Sequence, residues 1–175
     1  MSTVVAGEAQ VDLDAFVARE YPKVVAAVGL ITGSPQDAAD AVQDALVGFL
    51  AKPPSRPVEN LAAWITVVAS NRARDLRRSR DAESRALHRI GARVEAATAV
   101  GPVTGASDAV DVDVARALAA LPDRQRQVCV LHYLLDQPVE QIAAGLGVST
   151  GTVKTQLFRA RKALAARLRK EDHRG

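Results

Sequence analysis

The segment from Val139 to Leu164, VEQIAAGLGVSTGTVKTQLFRARKAL, constrains the fold more than any other part of the chain, because it has the pattern of two helices joined at a tight angle. Ala143 is small enough for two helices to cross closely. Gly147 stands just after the first helix, where a left-handed backbone costs glycine little, and Val153 is placed to fill the angle between the helices. Ser149 or Thr150 can cap the second helix by accepting from its orphan amides. Along that helix Val153, Leu157, Ala160, Leu164 and Leu168 step by four, three, four and four, which gathers them on one buried face. The far side then carries Thr152, Thr155, Arg159 and Lys162, flanked by Lys154, Gln156 and Arg161. Such a set suits phosphates and base edges, although the charges taken alone would equally describe a solvated basic helix.

A chain of 175 residues, 48% of them apolar, holds one ordinary domain or two small ones. Aromatic residues make up only 3%, which favours helices packed through Ala, Leu and Val. The single cysteine, Cys129, excludes an internal disulfide and a multi-cysteine zinc site. It reads as a buried thiol, with His132 beside it as a surface imidazole. No metal or cofactor is expected. The N-terminal residues MSTVVAGEAQ lack the pattern of a secretory signal, and no stretch approaches a membrane span, so a cytoplasmic protein without membrane insertion is expected.

The net charge of +3 conceals segregation. Residues 71–93 hold eight Arg against three acids and residues 154–175 hold eight basic residues against two acids, whereas 94–123 carry one Arg and five acids. Two basic blocks separated by an acidic interval imply two nucleic-acid contacts, because phosphate neutralisation needs clustered cations.

Residues 94–111 lose helical periodicity and gather Gly, Pro, Ser and Thr, which reads as a flexible linker. The expected architecture is therefore all-α, with two small helical domains at 11–93 and 112–170. Each is small enough to depend on close helix packing or on a partner. In the first, helices are predicted over Asp12 to Glu20, from Pro22 to Thr32, from a Ser34 cap and Pro35 to about Ala51, and from Asn60 to at least Arg80. Three prolines in KPPSRPV forbid helix between the last two.

Together these features resemble the extracytoplasmic-function group of bacterial RNA polymerase sigma factors, which consist of a promoter-melting domain and a helix-turn-helix domain. Ala39-Asp40-Ala41-Val42-Gln43-Asp44 is similar to the family's acidic-plus-glutamine motif. Trp64 to Asp75 resembles its tryptophan-led helix, and Leu121-Pro122, Gly151-Thr152-Val153-Lys154 and Arg159-Ala160-Arg161 resemble its second domain. The similarity covers nearly the whole chain. Ala39 stands where the family usually has Glu, which weakens one polar contact to polymerase. Gln156 stands where it usually has Arg, so the family's promoter preference does not transfer to this chain.

The resemblance implies that the third helix grips the coiled coil of the polymerase beta-prime subunit through Asp40, Gln43, Asp44, Leu46 and Phe49, with Leu50 adding apolar area. The same apolar residues could instead be intramolecular core. It implies that the loop Lys52 to Glu59 captures a flipped base of the minus-ten element, a task that a rigid loop suits. Ser55, Arg56, Asn60, Asn71, Arg74, Asp75, Arg77 and Arg78 would meet that element, with Asp75 orienting Arg78 one turn away. Trp64 reads as core with Ile65 and Val68. For the minus-thirty-five element, the implied contacts are Thr152, Lys154, Thr155, Gln156, Phe158, Arg159, Arg161 and Lys162. Phe158 could equally pack on a neighbouring helix, and Arg167 suits a phosphate. Leu131, Leu134 and Leu135 are either core or contacts to the polymerase beta flap. Promoter DNA and core polymerase are the implied partners, and members of the family commonly have an anti-sigma protein as well.

The competing expectation is a stand-alone helix-turn-helix regulator with an N-terminal sensing or dimerising domain. The basic block after Trp64 argues against it, since a sensing domain needs no second nucleic-acid face. Enzymatic activity is not expected. His88, His132 and His173 are scattered, and neither a phosphate-binding glycine loop nor a paired-carboxylate constellation is present.

Overall fold

The computed structural model describes residues 3–6, 9–91 and 112–172. The expected linker at 94–111 and the C-terminal His173 lie outside them. Two helical units are present, preceded by a short antiparallel ribbon of β1 (Thr3–Ala6) and β2 (Ala9–Asp12), in which Thr3 pairs with Asp12 and Ala6 with Ala9. The ribbon was not expected from the sequence, although Thr3, Val4, Val5 and Val11 are residue types that strands favour.

α1 (Leu13–Ala15) is capped by Asp12, whose Oδ1 accepts from the Ala15 amide at 3.0 Å. It leads through a π-helical turn at Phe16–Glu20 directly into α2 (Tyr21–Thr32), so the two helices expected here form one rod. Pro22 accounts for the wider turn. It cannot donate, and its ring crowds the carbonyl four residues back, which the i to i−5 bond from Tyr21 to Phe16 relieves. α2 stops at Gly33 (φ 74°), whose amide donates to Gly29 O at 2.8 Å. Ser34 then caps α3 (Pro35–Ala51) as the sequence predicts. After the proline-rich loop, Asn60 caps α4 (Leu61–Arg89), its Oδ1 accepting from the Ala63 amide at 2.9 Å.

α2, α3 and α4 enclose a core rich in alanine, in which Ala38, Ala41, Ala45, Ala62, Ala69 and Ala73 surround Phe16, Val24, Val28, Val42, Phe49 and Ile65. Small side chains let the helix axes approach, and the few large ones then fill the remaining space. Phe49 is completely buried and its ring lies 5.4 Å from that of Trp64, tilted by 60°.

The second unit comprises α5 (Val112–Ala119), α6 (Asp123–Tyr133), α7 (Val139–Leu146) and α8 (Thr150–Asp172). Gly147 ends α7 in the left-handed region (φ 64°), Ala143 is buried at the crossing, and Val153 is fully buried between α7 and α8. The core of this unit does not close on itself. Leu118, Leu121, Val128, Leu131, Ile142, Val153 and Leu157 share one apolar cluster with Ala27, Leu30 and Ile31 of α2 and Val67 of α4. The partner that so small a domain needs is thus the other half of the chain. Leu131 is core, and Leu134 and Leu135 are half-buried against it. Among the described residues no helix is long and apolar enough to cross a membrane, and no group of His, Cys, Asp and Glu could hold a metal.

Candidate nucleic-acid interface

α8 presents its polar side as the helical spacing requires. Lys154, Thr155, Arg159, Arg161 and Lys162 are exposed and none is neutralised by an ion pair among the described residues; Gln156 is half-buried. Of the two possible caps, Ser149 serves. Its Oγ accepts from the Thr152 amide at 3.1 Å and also meets Thr152 Oγ1 at 2.9 Å, so the exposed Thr152 side chain is part of the cap as well as of the polar face. Phe158 is 62% exposed and packs on no neighbouring helix core. Arg167 reaches the carbonyl of Ala120 at 3.5 Å, which ties α8 to the end of α5.

The second basic face runs along α4, and its arginines are differently committed. Arg72 pairs with Asp44 of α3 at 3.1 Å, Arg77 donates to the Thr32 carbonyl at 3.1 Å, and Arg80 forms a two-pronged contact with Asp37 at 3.2 and 3.4 Å. Arg78 is exposed with no such partner among the described residues, and the expected pairing with Asp75 is not formed. Asp75 instead contributes its charge toward Arg74. Leu76, 48% exposed amid these arginines, was overlooked in the sequence because the run reads as purely basic.

Asn71 and Arg74 sit where α4 meets α6. Arg74 donates to Asn71 Oδ1, and the same oxygen accepts from Gln127 Nε2 at 3.1 Å. Gln127 also donates to Ser70 Oγ at 2.8 Å and accepts from Arg124 at 2.9 Å, which satisfies its whole amide while it is almost fully buried. Burial, and then the charges of Arg124 and Arg78, hold the Arg74 pKa below the usual arginine value. Arg126, buried near Arg77, is lowered chiefly by burial, which its 2.8 Å ion pair with Asp123 partly offsets.

The proline-rich loop exposes Ser55 and Arg56 and forms one wall of a cleft of about 350 Å³. Trp64, Val67 and Val68 of α4 and Ile142 and Gly145 of α7 line the rest. Trp64, expected as core, does pack on Phe49, yet its half-exposed side also reaches this cleft. Asn60 lies at the loop's end with its amide oxygen committed to the helix cap. Glu59 accepts from Gln141 at 3.2 Å, a second polar link between the units.

On α3, Asp40, Gln43 and Asp44 are exposed in a row with Val47, which is 65% exposed, and Leu50. Phe49 does not belong to this surface. It follows Val42 by seven and Ala45 by four, which turns it into the core, and Leu46 is half-buried. Val47 takes its place, and its three- and four-residue spacing from Asp44 and Gln43 is the signal that identifies it.

Residues 16–83 match the family model described as Sigma-70 region 2, and residues 111–164 match Sigma-70, region 4. The chain is 32% identical over 143 residues to the ECF RNA polymerase sigma factor SigF of Caulobacter vibrioides, covering 81% of this chain and 76% of that one. It is 42% identical over 62 residues to the RNA polymerase sigma factor SigV of Bacillus subtilis, spanning only 37% of that protein's length and 35% of its own. Among solved structures, the sigma factor RpoE in complex with the anti-sigma factor NepR from Bartonella quintana superposes with a TM-score of 0.70 at 28% identity, covering 90% of this chain and 97% of that one.

Proposed function

Because the chain belongs to the extracytoplasmic-function group of the sigma-70 family, we propose that it binds core RNA polymerase, directs it to promoters with two recognition elements, and opens the duplex, without performing chemistry itself. The observation that carries this reading is the presence of two separate basic faces, on α4 and α8, together with an acidic and apolar ridge on α3. A repressor or activator has use for the second face alone.

In this reading the α3 ridge of Asp40, Gln43, Asp44, Val47 and Leu50 meets the beta-prime coiled coil. Its carboxylates and amide accept from basic donors while the two aliphatic residues supply area. α8 lies in the major groove of the minus-thirty-five element, with Arg159 and Lys154 toward guanine acceptors and Phe158 toward a thymine methyl. Arg161 and Lys162 neutralise phosphates. On the first unit, Ser55 and Arg56 in the stiff loop receive a flipped base, while Asn71, Arg74, Arg77 and Arg78 track the unpaired strand. The beta flap is a further polymerase contact of the second unit. The complex known for the Bartonella quintana protein supports an anti-sigma partner here too.

Reconstitution with core polymerase tests the reading. Promoter-dependent transcripts should appear only when this chain is added, and binding to duplex DNA without any transcript would reject it in favour of a regulator.

A further inference from the structure

The cleft beside the proline-rich loop holds a buried acceptor that no described residue satisfies. Gln137, 4% exposed, is part of the cleft lining, and its Oε1 has no hydrogen-bond partner among the described residues. The amide cannot simply flip. Its Nε2 donates to the carbonyl of Leu135 at 2.9 Å, and a carbonyl can only accept, so Oε1 is the atom left over. The backbone fixes the residue as well. The Gln137 amide donates to Leu131 O at 3.1 Å, its carbonyl meets His132 Nδ1 at 2.8 Å, and Asp136 before it takes a left-handed turn (φ 51°). An acceptor held this firmly without a donor is a cost to the protein alone and an attachment point for a ligand.

We propose that this cleft binds a free aromatic amino acid whose ring carries an N–H or O–H donor, with L-tryptophan as the fitting case. A volume of about 350 Å³ has room for an indole and its amino-acid group. Trp64, Val67 and Ile142 supply an aromatic and apolar wall for the ring, and the indole N–H goes to Gln137 Oε1. Two opposite charges stand at the mouth. Arg56 and Glu59 are both exposed lining residues without an ion-pair partner among the described residues, and Glu59 only accepts a hydrogen bond from Gln141. A zwitterion answers both, its carboxylate on Arg56 and its ammonium on Glu59, whereas a simple anion or cation is repelled by one of them. Oε1 is closed off from bulk solvent, and a small turn of the carboxamide about its bond to Leu135 presents it to the ligand. Pro54 and Pro57 stiffen the loop side of the cleft, so little ordering opposes binding. Binding of this kind needs neither DNA nor polymerase and does not rest on the sigma-factor reading.

NMR titration and thermal melting of the full chain test this. L-Tryptophan should bind with a Kd on the order of 0.1–1 mM, as expected of a small ligand in an open cleft. At about 10 mM it should raise the melting temperature. The analogue methylated on the indole nitrogen, which lacks the ring donor, should bind about tenfold more weakly. Gln137→Leu should lose a similar factor for tryptophan yet bind the methylated analogue no worse than the natural chain does, a pattern that misfolding does not produce. N-Acetyltryptophanamide has the indole without either charge and should also bind about tenfold more weakly. Arg56→Ala should shrink that difference. Gly145→Leu fills the cleft from a helical position where a Cβ would lie 3.5 Å from Val67 Cγ2, an ordinary contact, and should abolish binding while the chain still melts cooperatively.

Absence of both a spectral shift and a melting change with tryptophan at about 10 mM would overturn the proposal. Equal affinity for tryptophan and its methylated analogue would detach Gln137 from the ligand. Equal affinity for N-acetyltryptophanamide would mark a site for a tryptophan within a polypeptide, and unchanged binding by a folded Gly145→Leu chain would place the ligand elsewhere. Each of these results overturns it as well. Promoter-dependent transcription is read separately, so its failure rejects the sigma-factor reading and leaves the binding outcomes as they stand.

Discussion

Gln127 Nε2 lies 3.1 Å from Asn71 Oδ1, so a residue of α6 holds the amide that α4 would turn toward an unpaired base. The two are 56 positions apart in sequence. Replacing Asn71 would therefore disturb this seam as well as the strand contact proposed for it, and mutations elsewhere separate the faces more cleanly.

The α3 ridge and the α3 core should respond differently. Asp40→Ala with Gln43→Ala removes two polar contacts of about 0.5–1.5 kcal/mol each, and should weaken association with core polymerase by roughly tenfold without altering thermal stability. Val47→Asp should do the same. Phe49→Ala should instead cost about 3–5 kcal/mol of stability, because it empties the space between the alanine-rich helices. Pull-down affinity and thermal melts on the same variants separate these outcomes; a stable Phe49→Ala protein defective only in polymerase binding would return Phe49 to the surface.

Recognition of upstream DNA should divide along α8. Arg159→Ala is expected to change which sequences are tolerated, since a bidentate base contact is worth about 1–3 kcal/mol of discrimination. Arg161→Ala should weaken all promoters alike and reduce the salt dependence of binding. Arg167, because it holds the Ala120 carbonyl, is the poorer test of a phosphate contact: its loss should lower the melting temperature as well. Affinity selection from a randomised upstream element distinguishes a changed preference from a uniform loss.

Strand opening should depend on the loop. Substituting Ser55 to Glu59 by Gly and Ser removes the stiffness that presents a preformed pocket, and should leave polymerase binding intact while reducing opening. Arg78→Ala should show the same defect more mildly. A template with a pre-melted bubble should restore transcription in part, as measured by permanganate reactivity of promoter thymines. Normal opening on closed duplex by both variants would remove this surface from the melting step.

Cys129 offers a stability test that is independent of DNA. Burial pushes its thiol up to about 11, against a small opposing effect of Arg161. An unfolded thiol ionises near pH ~8.5, so the buried, neutral thiol's contribution is fully present below that value. It is lost as pH climbs from there through about 11, because the unfolded state loses its proton first. Alkylation of the native protein at neutral pH should be slow and should accelerate on adding denaturant. Fast alkylation of the native chain would contradict the burial.

The local parts of this architecture were legible. Ala143, Gly147 and Val153 specify the bend between α7 and α8, and Ser34-Pro35 specifies the start of α3, because each depends on residues within one or two turns. Asp12 and Asn60 likewise announce their caps. Phe49 was legible in its spacing from Val42 and Ala45, but the family's pattern drew it toward the surface. The seam was not legible. Nothing near Gln127 indicates that its amide meets Ser70 and Asn71, since the hydrogen bonds depend on two distant helices coming together. The same is true of the apolar set that Leu30, Ile31 and Val67 share with the second unit, where ordinary amphipathic spacing gives no hint of which helix covers it.

That shared apolar set has a cost for the separated molecule. Without α6 and α7 against them, Leu30, Ile31 and Val67 would face water, as would Leu131 and Ile142 on the other side, and greasy patches of that kind drive proteins to clump. A half-chain expressed by itself inherits one of these patches permanently. Such fragments should show concentration-dependent self-association that the whole chain lacks.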